Sequence, residues 1–403
     1  MKRLTIIAAV FLFAACSVKT PAPEGDLHLN VFEKEAVRWN PDSLGTYSPE
    51  DETGIIHLAA GRMILRKVTL PDYGREVKAT LTVRVESAGD RWDKSGSVFV
   101  IPADSKINLL SVAKRENAFP EVDSLKYEKL IGTVPGPDFE PTLELMRFMT
   151  PFGVGFYSRL DTAEVSRTRP VYVDGWAPEV RWEADITPLY PELRDSYVGV
   201  FIDTWTEEGY IASVDIDIEE TEAPMKERHV IPLVNTLYYI GQEYPDIFAR
   251  RDLTVDFNLD EYAPGAVLRY IVTGHGGHEG GDEFTPQRNV ISLDKEVVKD
   301  YVPWRTDCAS FRRFNPTSGI WAVRREASFY GEKGREVKMI DEMLASSDLS
   351  RSNWCPGSMV EPEDIPLGDL AAGAHRITFS IPGAQPIDGD KMNHWLISAY
   401  IVY

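Results

Sequence analysis

The sequence has few cysteines, few histidines and no surplus of positive charge. Beyond its first sixteen residues it also lacks any apolar run long enough to span a bilayer. The body of the chain is therefore expected to stay out of the membrane. The 43 basic residues are outnumbered by 63 acidic ones, a net charge of −20, which argues against nucleic acid or an anionic membrane surface as partner. No short-period internal repeat is visible, and a chain of 403 residues suggests two or three domains with sizeable cores.

The first sixteen residues, MKRLTIIAAVFLFAAC, speak to location. Lys2 and Arg3 form a short positive start, and Leu4 to Phe13 is apolar but too short for a stable span. Ala14 and Ala15 then lead into Cys16, a pattern that resembles the lipobox of bacterial lipoproteins. The expectation is a signal peptide over 1–15, lipidation of Cys16 and a Pro-rich tether over 16–27. That implies an exported lipoprotein of the bacterial outer membrane, periplasm or cell surface, held to the membrane through its lipid alone. Cys308 and Cys355 then remain as an even pair in an oxidising setting. A disulfide and two separately buried thiols are both open on this count.

Period-two alternation dominates the rest. In Val77–Val85 the residues Val77, Ala79, Leu81, Val83 and Val85 face one way, and Lys78, Thr80, Thr82 and Arg84 the other. Val180–Thr187, Ile211–Glu219, Leu253–Asp260 and His375–Ile381 read alike, as half-buried strands. With Pro, Gly, Asn and Asp turns between them, they predict an all-β chain of antiparallel sandwiches or jelly rolls. One helix is predicted, over Gly334–Ser347, from the stripe Val337, Ile340, Met343 and Leu344. The acidic segment Glu219–Arg228 suggests a boundary between domains over 28–222 and 229–403. The stretches Asp104–Leu145 and Phe156–Trp176 read as loops placed to overhang a site.

Three acids stand beside aromatic rings. Asp93 follows Trp92 just before a Gly turn, Asp203 lies between Phe201 and Trp205, and Glu283 precedes Phe284. The two-residue rule puts Phe201 and Trp205 on the strand face of Asp203. A ring stacked on a sugar's C–H face, with a carboxylate accepting its hydroxyls, is the chemistry of glycan sites. Carboxylates gathered in one cleft also raise one another's pKa, which suits acid/base work. An Asp near a turn is equally at home as a turn former. The Gly274–Phe284 loop, GHGGHEGGDEF, adds His275, His278, Glu279 and Asp282, ligand types that a transition metal or calcium accepts. His-x-x-His without a helical register does not fix two imidazoles on one ion. Metal, sugar and a merely solvated loop are the readings open here.

Six stretches in order carry a resemblance: Arg91–Val100 (RWDKSGSVFV), Arg147–Gly155 (RFMTPFGVG), Phe201–Ile218, Ile271–Phe284, Asp307–Pro316 and Arg351–Gly357 (RSNWCPG). Together they resemble the peptide-N-glycosidase F family, bacterial amidases that strip N-linked glycans from glycoproteins. The resemblance implies two antiparallel jelly-roll sandwiches packed side by side, with the active site in the cleft between them. It implies Asp93, Glu283 and Asp203 as catalytic acids, Asp93 foremost. Trp92, Lys94, Trp205, His275, Phe284, Arg351 and Trp354 become substrate-binding candidates, and Cys308 and Cys355 a disulfide. It implies no metal or organic cofactor, and N-glycosylated proteins or glycopeptides as partners of a monomer. Lys94 stands where the family usually has Arg, Asp203 where it has Glu, and His275 where its best-known member has Trp. Two other readings are a glycan-binding lipoprotein without turnover, and a metal-dependent enzyme similar to copper monooxygenases that uses His275 and His278.

Overall fold

The computed structural model describes residues 25–43, 54–101, 105–160 and 173–403. The signal peptide, Cys16, most of the tether and much of the Phe156–Trp176 stretch lie outside them. Among the described residues no helix is long and apolar enough to cross a membrane.

The chain is all-β, a pair of jelly rolls. One sheet of the first runs, in spatial order, Leu27–Val37, Tyr210–Pro224, Arg75–Ser87 and Val180–Asp185. Facing it are Ile55–Leu58, Met63–Thr69, Asp195–Ile202, Ser95–Ile101, Leu143–Met149 and the short Met359–Val360. The second roll has one sheet of Val230–Asn235, His394–Val402, Ala263–His275 and Glu363–Leu370. Its other sheet is Leu253–Leu259, Gly373–Ser380, Asn289–Leu293 and Glu296–Tyr301. The five segments predicted from alternation are all strands. Val77, Ala79, Leu81, Val83 and Val85 are buried, as period two requires, in the core between the first two sheets.

The two rolls are laced together. Met359–Val360 comes from the second half of the chain yet pairs antiparallel with Phe148 and Arg147 of the first. Arg147 and Glu144 form a fully buried ion pair, and Arg147 Nη1 donates to the Leu396 carbonyl at 2.7 Å. That guanidinium satisfies groups from both halves, so truncating it strands a buried charge. The Asp104–Leu145 stretch is partly helical, with turns at Leu109–Ala113 and Ser124–Tyr127. It leans on the second roll through Lys126–Asp256 and Arg250–Glu128 ion pairs.

The predicted helix at Gly334–Ser347 is instead a strand, Gly334–Ala345, hairpinned to Ile320–Gly331. Gly331 pairs with Gly334 across a two-residue turn, and Gly334 has a φ of +98°, which favours glycine. The stripe that mimics a helical period distributes onto cross-strand pairs such as Trp321–Leu344 and Arg325–Ile340. Its neighbour, rich in aromatic and β-branched residues, supplies the partner that a single-segment reading cannot see.

Cys308 and Cys355 form a disulfide that spans 47 residues. It joins the Cys308–Phe314 turn to the loop that carries Arg351 and Trp354. Replacing both cysteines with Ala should lower stability by up to about 4 kcal/mol in the chain-entropy model. A denaturation midpoint equal to that of the unsubstituted protein would contradict this.

Candidate active site

The peptide bonds around Asp93 are pinned on every side. The Trp92 amide donates to Asp90 Oδ1 at 3.0 Å, and the Trp92 carbonyl accepts from the Tyr210 hydroxyl. The Lys94 amide donates to Thr150 Oγ1 at 2.8 Å, and Thr150 Oγ1 in turn donates to Tyr210. Asp90 is itself buried and accepts from Thr204 Oγ1 at 2.7 Å. From the second roll, Thr317 Oγ1 donates to the Arg91 carbonyl at 2.7 Å. The Asp93 carboxyl takes no part in these bonds, while Asp90 does the turn-forming work that an Asx residue performs. Burial raises the Asp93 carboxyl above its ordinary range, against the pull of Arg351 and Lys94.

The Gly-rich loop reaches the same place from the second roll. Its anchor is Asp282, fully buried, which accepts from the Trp395 indole at 2.9 Å and the Gln385 amide at 2.9 Å. The glycines let the loop pack flat: a Cβ on Gly276 would sit 2.3 Å from Asn393 Oδ1, and one on Gly281 2.1 Å from the Gly276 carbonyl. This seats Glu283 inside, where Arg351 Nε donates to its Oε1 at 2.9 Å. Burial pushes Glu283 up to about 7; Arg351 opposes the rise and Asp93 adds to it. Two carboxyls from different rolls therefore sense each other's charge, and the charge of the buried Arg351 acts on both. Arg351 is held in turn by the Leu349 carbonyl at 2.8 Å and lies over the Phe284 and Trp354 rings at 5.0 and 4.9 Å.

Asp203 shares a charged neighbour, Lys94, with Asp93, and both its oxygens are taken. Oδ1 accepts from Arg62 Nη1 at 2.9 Å and the Trp205 indole at 3.0 Å; Oδ2 accepts from the Tyr238 hydroxyl at 3.0 Å. Burial raises its pKa, and Arg62 is the main opposing influence. The Arg62 guanidinium meets Asp203, Phe201 and Trp205 alike, and the Trp205 indole bonds to Asp203 itself, so the acid and its two rings do gather, although not through strand alternation. The strand ends at Ile202, Phe201 is buried against Tyr239, and Trp205 turns out to be 49% exposed with the Arg62 guanidinium 4.0 Å over its ring. Trp92, 53% exposed, is the second open ring.

A row of rings runs from Tyr238 to Trp354. Tyr238 meets Tyr244 at 4.2 Å, Tyr244 meets His394 at 5.0 Å, His394 stacks on His275 at 4.9 Å, and His275 stacks on Trp354 at 5.7 Å. Burial holds His275 well below its ordinary pKa, helped by His394 and Arg147, and puts His394 at about 4. Both are neutral flat surfaces at physiological pH. His275 Nε2 is bonded to Thr273 Oγ1, while His278 meets the Glu279 carbonyl and Asn393. Among the described residues no group of three or more His, Cys, Asp or Glu is placed to hold a metal ion.

The sequence reading overlooked Arg62, Asp90, Tyr238, Tyr244 and His394. Arg62, Tyr238, Tyr244 and His394 sit in no motif and reach Asp203 or His275 only through strand pairing or a distant loop. Asp90, three residues before Asp93 in a turn, had a legible signal; the others had none.

Residues 28–218 match the family model described as peptide-N-glycosidase F, N terminal, and residues 243–402 match its C-terminal counterpart. Two solved structures of PNGF-II are similar at 32% and 33% identity, with TM-scores of 0.78 and 0.79. Each alignment covers 94% of this chain but only 65% and 64% of PNGF-II. PNGase F, a glycosylasparaginase from Flavobacterium meningosepticum, shares the fold at 15% identity and a TM-score of 0.58, over 94% of this chain and 96% of its own. Comparison with curated proteins finds no match.

Proposed function

Because the chain belongs to the peptide-N-glycosidase F family, we propose that it hydrolyses the amide between an Asn side chain and the first N-acetylglucosamine of an N-linked glycan. The observation that carries this reading is the Asp93–Arg351–Glu283 cluster, built from both rolls and flanked by open aromatic rings.

The reaction adds water to the amide carbon and breaks the C–N bond, so that Asn becomes Asp and the glycan leaves as a glycosylamine. Water needs a base, and the departing nitrogen needs a proton. Two mutually repelling carboxyls with raised pKa values supply one of each near neutral pH. Asp93 takes the primary acid/base role, and Glu283, steadied by Arg351, orients water or the amide. Arg351 and Lys94 stabilise charge that develops on the amide oxygen. Asp203 supports the site by fixing Trp205 and Tyr238, whose rings, with Trp92 and the neutral His275, receive the sugar. The chain spans only part of PNGF-II, so the range of glycans accepted is a property of this site to be measured directly.

The test is mass spectrometry of an N-glycopeptide after incubation with the protein. Intact glycan in solution and Asp at the former Asn are expected. A sugar left on Asn, or glycopeptide bound and returned unchanged, sinks the amidase reading, the latter in favour of a glycan-binding protein.

In the same proposal Cys16 carries the lipid. Cys16→Ser should give a protein that partitions into water with unchanged turnover, because Cys16 precedes in sequence every strand that carries a candidate site residue. Persistent lipid labelling of that variant would overturn the lipobox reading.

A further inference from the structure

We propose that the Ile320–Ala345 ribbon is a docking arm for the polypeptide that carries the glycan, which it binds as an added extended strand; this rests on the amidase reading above. Among the described residues the two strands, each of twelve residues, hydrogen-bond in register only to each other, which leaves both outer edges open. Edges of that length are normally covered, shortened or kinked. The ribbon also departs from half-buried strands such as Leu253–Leu259, which are apolar on one face and wetter on the other. Trp321, Ile340 and Leu344 lie on one face, and Val337, Met339 and Met343 on the other, these last three each more than half exposed.

Two further observations identify the occupant. The first is continuity with the candidate site. Trp321, at the root of the ribbon, packs on Phe284 at 5.0 Å, and Phe284 is the residue after Glu283 and lies under Arg351. A peptide whose glycosylated Asn sits at Glu283 must leave the cleft past some neighbouring surface, and this apolar one is joined to it. The second is charge. The ribbon holds five basic and five acidic residues, a local balance of zero in a chain of −20. It is a patch that repels neither acidic nor basic peptides.

The chemistry also suits a partner of variable sequence. Main-chain hydrogen bonds at a strand edge are made with any residue but proline, and methionine adapts its shape to whatever side chain arrives. A strand added at the edge touches both faces, which accounts for apolar residues on both.

Two variants test this. In one, Val323 is joined to Glu342 through an Asn-Gly turn, which removes the outer ribbon and keeps its root. In the other, Val337, Met339 and Met343 all become Ser in the full-length ribbon. KM for a denatured N-glycoprotein should rise at least ~10-fold in the shortened variant, equivalent to ~1.4 kcal/mol of binding. It should rise by a smaller factor in the Ser variant. KM for a glycopeptide of three residues should not change in either. Equal effects on both substrates, or none on either, overturn the proposal. Binding of a denatured, glycan-free polypeptide, read by fluorescence anisotropy, separates this from the amidase reading. If the unaltered protein releases no glycan but binds that polypeptide, and the shortened variant does not, the arm stands and the amidase fails. Polypeptide binding undiminished in both variants, alongside loss of a ribbon-dependent dimer, would assign the edges to a second copy of the chain.

Discussion

An Asp93→Asn protein is expected to fold, bind glycan and release almost none of it. The exchange keeps nearly the same size, and the turn that holds position 93 depends on Asp90, Thr150 and Tyr210 rather than on the Asp93 carboxyl. The fold therefore loses little. What disappears is a group able to exchange a proton near neutral pH. General acid/base contributions are typically ~10²–10⁴-fold, and a sole essential carboxylate contributes more. Deglycosylation should fall to near background while glycan affinity stays within a few-fold. Asp203→Asn should be milder, because the oxygens of Asp203 hold Arg62, Trp205 and Tyr238 in place. Near-normal turnover in a folded Asp93→Asn protein would remove Asp93 from the mechanism. A larger loss at Asp203 than at Asp93 would reverse the roles assigned here.

Glu283→Gln is expected to do two things at once: cut turnover severely and change how stability depends on pH. Glu283 has its carboxyl pushed up to about 7 from an ordinary 4.5, with burial the largest cause. A pKa raised on folding means that the folded state holds its proton more tightly than the unfolded one. The resulting stabilisation is present in full below about pH 4.5 and is lost as pH rises through about 7. Glutamine does not titrate. The stability of the variant relative to the unsubstituted protein should therefore improve from pH 5 to pH 8, by about 2–3 kcal/mol. Arg351 loses a charged partner only above about pH 7, where Glu283 ionises, and that loss is already contained in the trend. Denaturant unfolding at the two pH values measures it, and a pH-independent difference would show that Glu283 is not held protonated. In the amidase reading, the pH–rate profile of the unsubstituted protein should bend near neutrality, a feature missing from the residual activity of the variant.

Strand content and the two-layer architecture were readable in the alternation of segments such as Val77–Val85 and Leu253–Leu259, because a strand with one buried face writes its burial into every second residue. Alternation does not extend beyond Ile202, where the strand ends: Asp203 and its two rings still gather, but around Arg62, which no local pattern marks. Alternation failed at Gly334–Ala345, where, among the described residues, two strands pair only with each other and most of the ribbon stands clear of a core. With no core to bury one face, the apolar residues are free to fall at any spacing, including a helical one.

Local chemistry, then, was determined by the sequence alone: which acids stand beside rings, which loop is thin enough in side chains to pack flat, which segments alternate. Tertiary structure decided which of those acids stand together. Asp93 and Glu283 are 190 residues apart in the sequence and meet only because two rolls close on one another. Asp203, equally conspicuous in the sequence, is bound up by Arg62 and Tyr238, which no motif announces. The physical reason is that a carboxyl's proton affinity depends on the charges and the solvent a few ångströms away. Those neighbours come from strands and loops far off in the chain, and folding alone brings them together.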